Sequence, residues 1–558
     1  MVEKNVVLSG LSGSGKTTVG RMLAKKLNRP FLDLDILIEE TERMTIPEIF
    51  QKFGEEKFRE IESKLTIKVA ELKNSVIALG GGTLMRPQNR ESLKKCGTVV
   101  FLNPPLDTLL KRLQGDDTRP LLKAEDIKEK KEKLIRLYYE RINTYLGGAD
   151  LVVDGDENPE KIAEKIISKL SLPKEKRTSS IKKEIAVKSE SKIYRVVVGF
   201  KILQEALADY LKENRFSGIV LVTSPVINQL FGSPLREVFI EKGFDIKTVF
   251  IEDEEEKKDI NTLSKIYDEF IKLGVDRSSL VIALGGGITG DVAGFAAATY
   301  MRGIKWVYVP TTLLAQVDAS VGGKVAVNHR EGKNLIGAFY QPDLVITDIN
   351  HLFTLPDKIF GDGMAEVIKT AILQGELFKY IEENAIKIKE RDPETLFNIV
   401  YECIKFKKEI VEKDERDEGK RMILNLGHTF GHALEAASGY KVSHGQAVSA
   451  GTVMAFKLSI LLGNNLQKDL ERVKELFTFF NLPVSIKELP VQINEEEILN
   501  FLLRDKKAVA GRPRFIVPYN IGDVRVVEKL SGDLKILLKN VIDEKEGKRD
   551  ENPGDSRT

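Results

Sequence analysis

Two cysteines in 558 residues, Cys96 and Cys403, are too few for a disulfide framework and carry no CxxC spacing. Zinc held by thiolates is thereby excluded, and a reducing cytoplasm is the expected location. Net charge is only +2, from 86 Lys and Arg against 84 Asp and Glu, which argues against a nucleic-acid binder. The chain contains no run of 18 apolar residues, and its start, MVEKNVVLSG, lacks the apolar core and cleavage site of a signal peptide. No membrane partner is expected. What is present, 42% hydrophobic and 30% charged residues, fits a globular enzyme of several domains.

Histidine is also scarce, yet three of the five stand between His428 and His444. His428 and His432 are four apart in a helical pattern and project from one face. His444 follows a Gly-containing turn. Two of their nitrogens could meet one divalent metal with a carboxylate added, since catalytic zinc takes three protein ligands and keeps one position open. On the residues alone they could equally be satisfied core or surface histidines.

In the first segment, the strand Val6-Val7-Leu8 runs into GLSGSGKTT and then a helix to Leu27. Gly10, Gly15, Lys16 and Thr17 match G-x-x-x-x-G-K-[ST], a loop whose backbone N–H groups close around phosphates while Lys16 reaches the β/γ oxygens and Thr17 meets Mg²⁺. Asp33 and Asp35 in FLDLD alternate, so one carboxylate could face Mg²⁺ and the other an acceptor hydroxyl; a helix N-cap or a solvated turn is the competing reading. Arg59, Gly80-Gly81-Gly82, Arg119 and Arg141 follow, each arginine alone being compatible with an exposed ion pair. Taken together the segment resembles the shikimate kinase family. That resemblance implies ATP with Mg²⁺ on Gly13, Ser14, Gly15, Lys16, Thr17, Thr18 and the lid residue Arg119, with Asp33 completing the metal site. It further implies shikimate on Asp35, Arg59, Gly81 and Arg141, with Lys16 and Asp35 in catalytic roles.

Residues 171–192 lose their aromatics and become rich in Lys, Glu and Ser, which reads as a tether, with an exposed helix as the alternative. VIALGGG occurs at Val76–Gly82 and again at Val281–Gly287, but the flanks differ, so each copy is a separate strand-to-glycine turn.

Beyond residue 193, strands and helices alternate until about Pro356 and then helix dominates, implying an α/β half with a parallel sheet followed by a helical half. GGGITGDVAGF opens a helix after a strand and suits a pyrophosphate, although alone it is a weak signal. With Pro310-Thr311-Thr312, Gly322-Gly323-Lys324, Lys333-Asn334, GDGMAEVIKTAI and the histidines, this segment resembles 3-dehydroquinate synthase, a sugar phosphate cyclase. The resemblance implies Zn²⁺ or Co²⁺ on Glu366, His428 and His444, with His432 a non-ligand near the substrate phosphate. It implies NAD on Asp253, Glu254, Glu255, Glu256, Lys257, Lys258, Gly287, Ile288, Thr289, Gly290, Asp291, Thr311, Thr312, Lys324, Lys333, His351, Leu352, Phe353 and Thr354. The phosphorylated keto-acid DAHP would meet Arg302, Asp318, Lys324, Asn334, Lys369, Arg421, Asn425, His432 and Lys506, with Lys324, Lys369 and His432 catalytic. Thr223-Ser224-Pro225 departs from the family where an Asp or Asn contacts the adenine ribose.

The expected architecture is therefore a P-loop kinase fold (1–170), a linker (171–192), a Rossmann-like NAD-binding half (193–355), a helical metal half (356–540) and a polar tail (541–558). The expected function is a bifunctional shikimate-pathway enzyme acting on shikimate and DAHP, a homodimer through the second half. Another sugar phosphate cyclase, or a metal-dependent alcohol dehydrogenase that releases NADH, is the alternative for that half. The dehydrogenase has no reason to carry the phosphate-gripping Arg302, Lys324 and Asn334.

Overall fold

A computed structural model describes residues 4–114, 120–123, 126–170, 181–503, 514–527 and 533–542. It divides into two compact units, 1–357 with 390–398, and 358–389 with 399–558.

The first unit holds two large sheets, one all parallel and one parallel except for an antiparallel edge strand. In the first sheet β1 (Asn5–Ser9), β2 (Phe31–Asp33), β3 (Val76–Ala78), β4 (Gly97–Leu102) and β5 (Leu151–Val153) lie in the order β2-β3-β1-β4-β5, all parallel. Every residue of β1 and β3 is buried, as expected where helices cover both faces. Alternation sends Val6 and Leu8 into the core on one face and Val7 into the core on the other. The chain leaves β1 towards β2 and leaves β3 towards β4, in opposite directions across the sheet. Neighbouring strands that part this way open a crevice at their carboxyl ends, which is where ligands of such sheets bind.

The second sheet uses β6 (Lys182–Lys188), β7 (Ile193–Gly199), β8 (Ile219–Thr223), β9 (Ile246–Phe250), β10 (Leu280–Gly285), β11 (Lys305–Pro310) and β14 (Leu344–Asp348) in the order β6-β7-β14-β11-β10-β8-β9. Its parting strands are β8 and β10. A two-stranded hairpin, β12 (Lys324–His329) and β13 (Gly332–Phe339), lies between β11 and β14 in the chain.

Strand β6 departs from the sequence expectation of a tether over 171–192. It pairs antiparallel with β7 along its whole length. Ile185 and Val187 turn inward while Glu184, Ala186 and Lys188 are exposed, so the strand buries one side. Residues 171–180 lie outside the described residues.

The second unit is mostly helical, with the hairpin β15 (Phe515–Asn520) and β16 (Asp523–Val527). Its centre is the helix His444–Leu461, apolar on all sides and almost wholly buried. Helix His428–Ala437 crosses it closely because glycines meet there. A Cβ on Gly431 would stand 3.1 Å from the Ala447 carbonyl oxygen, and Gly451 lies directly against the Gly427 carbonyl. The expected tail begins later than 541, since Val541 and Ile542 are buried at the end of helix Leu534–Ile542; residues 543–558 lie outside the described residues.

Candidate active sites

The loop after β1 is shaped by left-handed glycines, with Gly13 at φ +81° and Gly15 at φ +91°, and Gly15 caps the helix Lys16–Leu27. The buried Lys16 ammonium folds back onto the Gly10 and Leu11 carbonyls, 3.0 Å each. Among the described residues the buried Ser14 Oγ has no hydrogen-bond partner, an orphaned group in a loop suited to an anion. The Thr17 hydroxyl donates to Asp33 Oδ2 at 2.6 Å, which places two hard oxygen ligands side by side and fits Mg²⁺.

Asp33 and Asp35 do not alternate along one strand. Asp33 ends β2 and caps the helix Leu34–Glu42, its Oδ1 accepting from the Asp35 N–H at 3.0 Å, and Asp35 sits in the first turn. The Asp35 carboxylate then faces the turn after β3, where a Cβ on Gly80 would stand 2.6 Å from its Oδ1. Asp35, Arg59, Gly81 and Arg141 all line one cavity of about 470 Å³. Arg141 Nη1 donates to the Gly81 carbonyl at 2.7 Å, and the Tyr145 hydroxyl donates to the same oxygen. Burial pushes the Tyr145 phenol up to about 12, so it stays a donor. Arg59 is held by Glu62 at 2.9 Å and Glu55 at 3.1 Å. Glu62 and Tyr145 escaped the sequence reading; the Glu62 spacing of three from Arg59 was the available signal. Arg119 lies outside the described residues.

In the second sheet, β10 delivers Gly285–Gly287 to the start of helix Gly287–Thr299. Gly290 is required there, because a Cβ would enter the Tyr308 ring. The Tyr308 hydroxyl donates to the Gly286 carbonyl at 2.9 Å, and the Thr311 N–H donates to the Gly285 carbonyl at 3.0 Å. Lys258, nearly buried, donates to Asp291 Oδ2 and Asn334 Oδ1, 2.5 Å each, so three expected residues meet. Asn334 adopts φ +56°, and Arg302 φ +67° beside Met301 at φ +48°, conformations that non-glycine residues hold only where the surroundings enforce them. Asp318 lies in a short π-helix, Ala315–Ala319, and Lys324 opens β12. The departure at Thr223-Ser224-Pro225 has a local rationale: the Ser224 hydroxyl donates to Asp253 Oδ2 at 3.0 Å. His351 packs inward, its ring 4.4 Å from that of Phe231, and burial lowers its pKa. Leu352 and Thr354 are buried as well, and Phe353 packs edge-on against Phe200.

In the second unit, ligand atoms of Glu366, His428 and His444 all lie within 4.8 Å of one another. Glu366 Oε1 is 3.1 Å from His444 Nε2 and 3.5 Å from His428 Nε2. One carboxylate and two imidazoles are a donor set that fits Zn²⁺ or Co²⁺. Burial raises the Glu366 carboxyl pKa, but the Lys369 ammonium paired with Oε2 and the two imidazoles together hold it well below the usual range. Burial brings His428 down to about 3, leaving the neutral ring a ligand needs, and its Nδ1 faces the Leu426 carbonyl at 3.2 Å. Burial lowers His444 too, but Glu366 and Glu435 outweigh it and raise it to about 10. Glu435, buried 3.7 Å from His444 Nδ1, is a residue the sequence reading missed. His432 stands one turn beyond His428 on the same helix, its ring 5.5 Å away, outside the cluster. Arg421 is buried and donates to the Glu415 carbonyl at 2.9 Å; Asn425 ends the same 3₁₀ turn, Lys420–Asn425. Lys506 lies outside the described residues.

Residues 12–171 match the family model for shikimate kinase, 248–362 that for the N-terminal part of 3-dehydroquinate synthase, and 363–508 that for its C-terminal part. A 3-dehydroquinate synthase of Pelobacter propionicus is 43% identical over 335 residues, 60% of this chain and 92% of that one. One from Shewanella piezotolerans is 40% identical over 365 residues, 65% and 99% of the two chains. Among solved structures, the 2-epi-5-epi-valiolone synthase ValA of Streptomyces hygroscopicus subsp. jinggangensis 5008, with NAD⁺ and Zn²⁺ bound, superposes with a TM-score of 0.58 at 26% identity. The match covers 66% of this chain and 98% of that one.

Proposed function

The chain belongs to the 3-dehydroquinate synthase family and carries a shikimate kinase domain ahead of that part, and on this premise we propose which residues do the work. The enzyme is bifunctional: it phosphorylates shikimate from ATP, and it converts DAHP to 3-dehydroquinate and phosphate. The kinase occupies residues 1–170, the NAD-binding half 193–355 and the metal half 356–540. A divalent metal and NAD, when bound, supply Lewis-acid polarisation and a reversible hydride acceptor, with no net consumption of NAD.

In the kinase, Gly13, Ser14, Gly15, Lys16, Thr17 and Thr18 hold the ATP phosphates and Thr17 and Asp33 the Mg²⁺. Arg59 and Arg141 grip the shikimate carboxylate, and Asp35 orients the hydroxyl that is phosphorylated. In the synthase, Glu366, His428 and His444 hold the metal, and their convergence within 4.8 Å is the observation that carries this reading. Lys369 keeps Glu366 ionised and stands ready to neutralise charge on the substrate. The family resemblance supports His432, Arg421 and Asn425, and likewise Arg302, Asp318, Lys324 and Asn334, for the substrate's phosphate, carboxylate and hydroxyls. NAD rests on the turn Gly287–Asp291, on Asp253–Lys258, and on Thr311, Thr312 and Lys333. The family resemblance also supports a homodimer through the synthase half, checked by sedimentation equilibrium, and the scarcity of cysteine supports a cytoplasmic location.

Phosphate release from DAHP with catalytic NAD tests the synthase. Release without accumulation of NADH, lost on chelation, is expected. NADH accumulating in step with substrate would give the second half to an alcohol dehydrogenase.

A further inference from the structure

Strand β2 ends in the carboxylate that the kinase reading assigns to Mg²⁺, and among the described residues β2 is an edge strand paired with β3 alone. Its outer side is taken by the synthase half. The Asp33 N–H donates to Gln229 Oε1 at 2.9 Å. Gln229 belongs to the π-helix Asn228–Gly232 that follows β8, and bulges of this kind recur at functional sites. The same amide donates through Nε2 to Glu40 Oε2 at 3.4 Å, and Asn228 Nδ2 donates to Glu40 Oε1 at 2.9 Å. Glu40 lies late in the helix that Asp33 caps. One buried amide thus ties both ends of the segment that carries Asp33 and Asp35.

Asp33 has no slack in this arrangement. Its Oδ2 accepts from Thr17, its Oδ1 from the Asp35 N–H, and its own N–H is held by Gln229. We propose that Gln229, a residue of the synthase half, is a positioning residue for phosphoryl transfer: it fixes the end of β2 and so the placement of the Asp33 carboxylate beside Thr17. The inference rests on the reading of residues 1–170 as a kinase with Thr17 and Asp33 as its Mg²⁺ ligands. It makes the fusion more than a tether, because part of the kinase site is braced from outside the kinase.

The test uses the full chain with Gln229→Met, which keeps length and removes the acceptor. Kinase kcat is expected to fall about 10-fold, because small misplacements near a reacting centre are costly. The Mg²⁺ concentration at half-maximal rate should rise while KM for shikimate stays within about two-fold and DAHP turnover is unchanged, a split that general loosening would not produce. Independently of activity, the Asp33 amide should exchange faster with deuterium in the ligand-free protein. The swapped pair Glu40→Gln with Gln229→Glu rebuilds both bonds and should restore the Mg²⁺ dependence, which decides the matter even where Gln229→Met folds poorly. An active wild type with a Gln229→Met variant unaltered in kcat, Mg²⁺ dependence and exchange, or a swap that restores nothing, overturns the inference alone. A wild type without shikimate-dependent ADP release overturns the kinase reading and the inference with it.

Discussion

The pocket proposed for shikimate and the centre proposed for a metal solve opposite problems. The pocket is a cavity of about 470 Å³ whose arginines lean on glutamates and on a turn of three glycines. Its supports are doubled, with Glu55 and Glu62 both on Arg59, which is 13% exposed, and Arg141 and Tyr145 both on the Gly81 carbonyl, and its shape comes from loops at a sheet's crevice. The metal centre brings Glu366 and Lys369, each 2% exposed or less, against two imidazoles inside packed helices. Buried charges of this kind hold only while each has its partner, since removing one leaves another uncompensated. The pocket should therefore lose function by degrees, and the metal centre all at once.

The sharpest break in that comparison comes from His428→Ala. With His428 as a proposed ligand, its loss removes the several kcal/mol of Lewis-acid stabilisation, so DAHP turnover should fall by about 10³-fold or more, with metal content reduced in parallel. Lys16→Met should lower ATP turnover by about 10²- to 10³-fold, the usual consequence of removing a charge aimed at a transferring group. Synthase rate in that variant should not change. Glu435→Gln weakens the partner of His444 Nδ1, and competition with a chelator should report metal affinity lower by about 10- to 100-fold. Tyr145→Phe removes one of two donors on the Gly81 carbonyl, about 1 kcal/mol, and KM for shikimate should rise about five-fold.

Acidity sharpens the same contrast. In metal-free protein His444 is raised to about 10 from 6.5. Its proton therefore contributes stability in full below about pH 6.5, and that contribution is lost as pH rises through about 10. The chelated protein should melt lower as pH climbs from 7 to 10, a slope that His444→Gln abolishes. At pH 8, metal binding should release close to one proton, measured by calorimetry in buffers of different ionisation enthalpy.

The same division governed what could be read from the chain. The phosphate loop is consecutive, so strand, glycines, Lys16 and Thr17 were legible together. His428 and His432 were placed on one helix face by their spacing, but Glu366 is 78 residues from His444, and only the family resemblance supplied it. Glu435 and Gln229 gave no signal, because a glutamate in a helix or a glutamine after a strand acquires its role only from what packs against it. Strand β6 was hidden for a different reason: an edge strand buries two side chains, Ile185 and Val187, and its Lys and Glu dominate the composition. Asp33 and Asp35 were read with the wrong geometry, since the helix starts between them.

The presence of two separate active sites in one chain is tested by two variants and two assays. His428→Ala and Lys16→Met are each assayed for phosphate release from DAHP and for shikimate-dependent ADP formation. Each variant is expected to lose its own activity and to keep the other at the wild-type rate. Loss of both activities in a folded variant, or retention of DAHP turnover by His428→Ala, would contradict it.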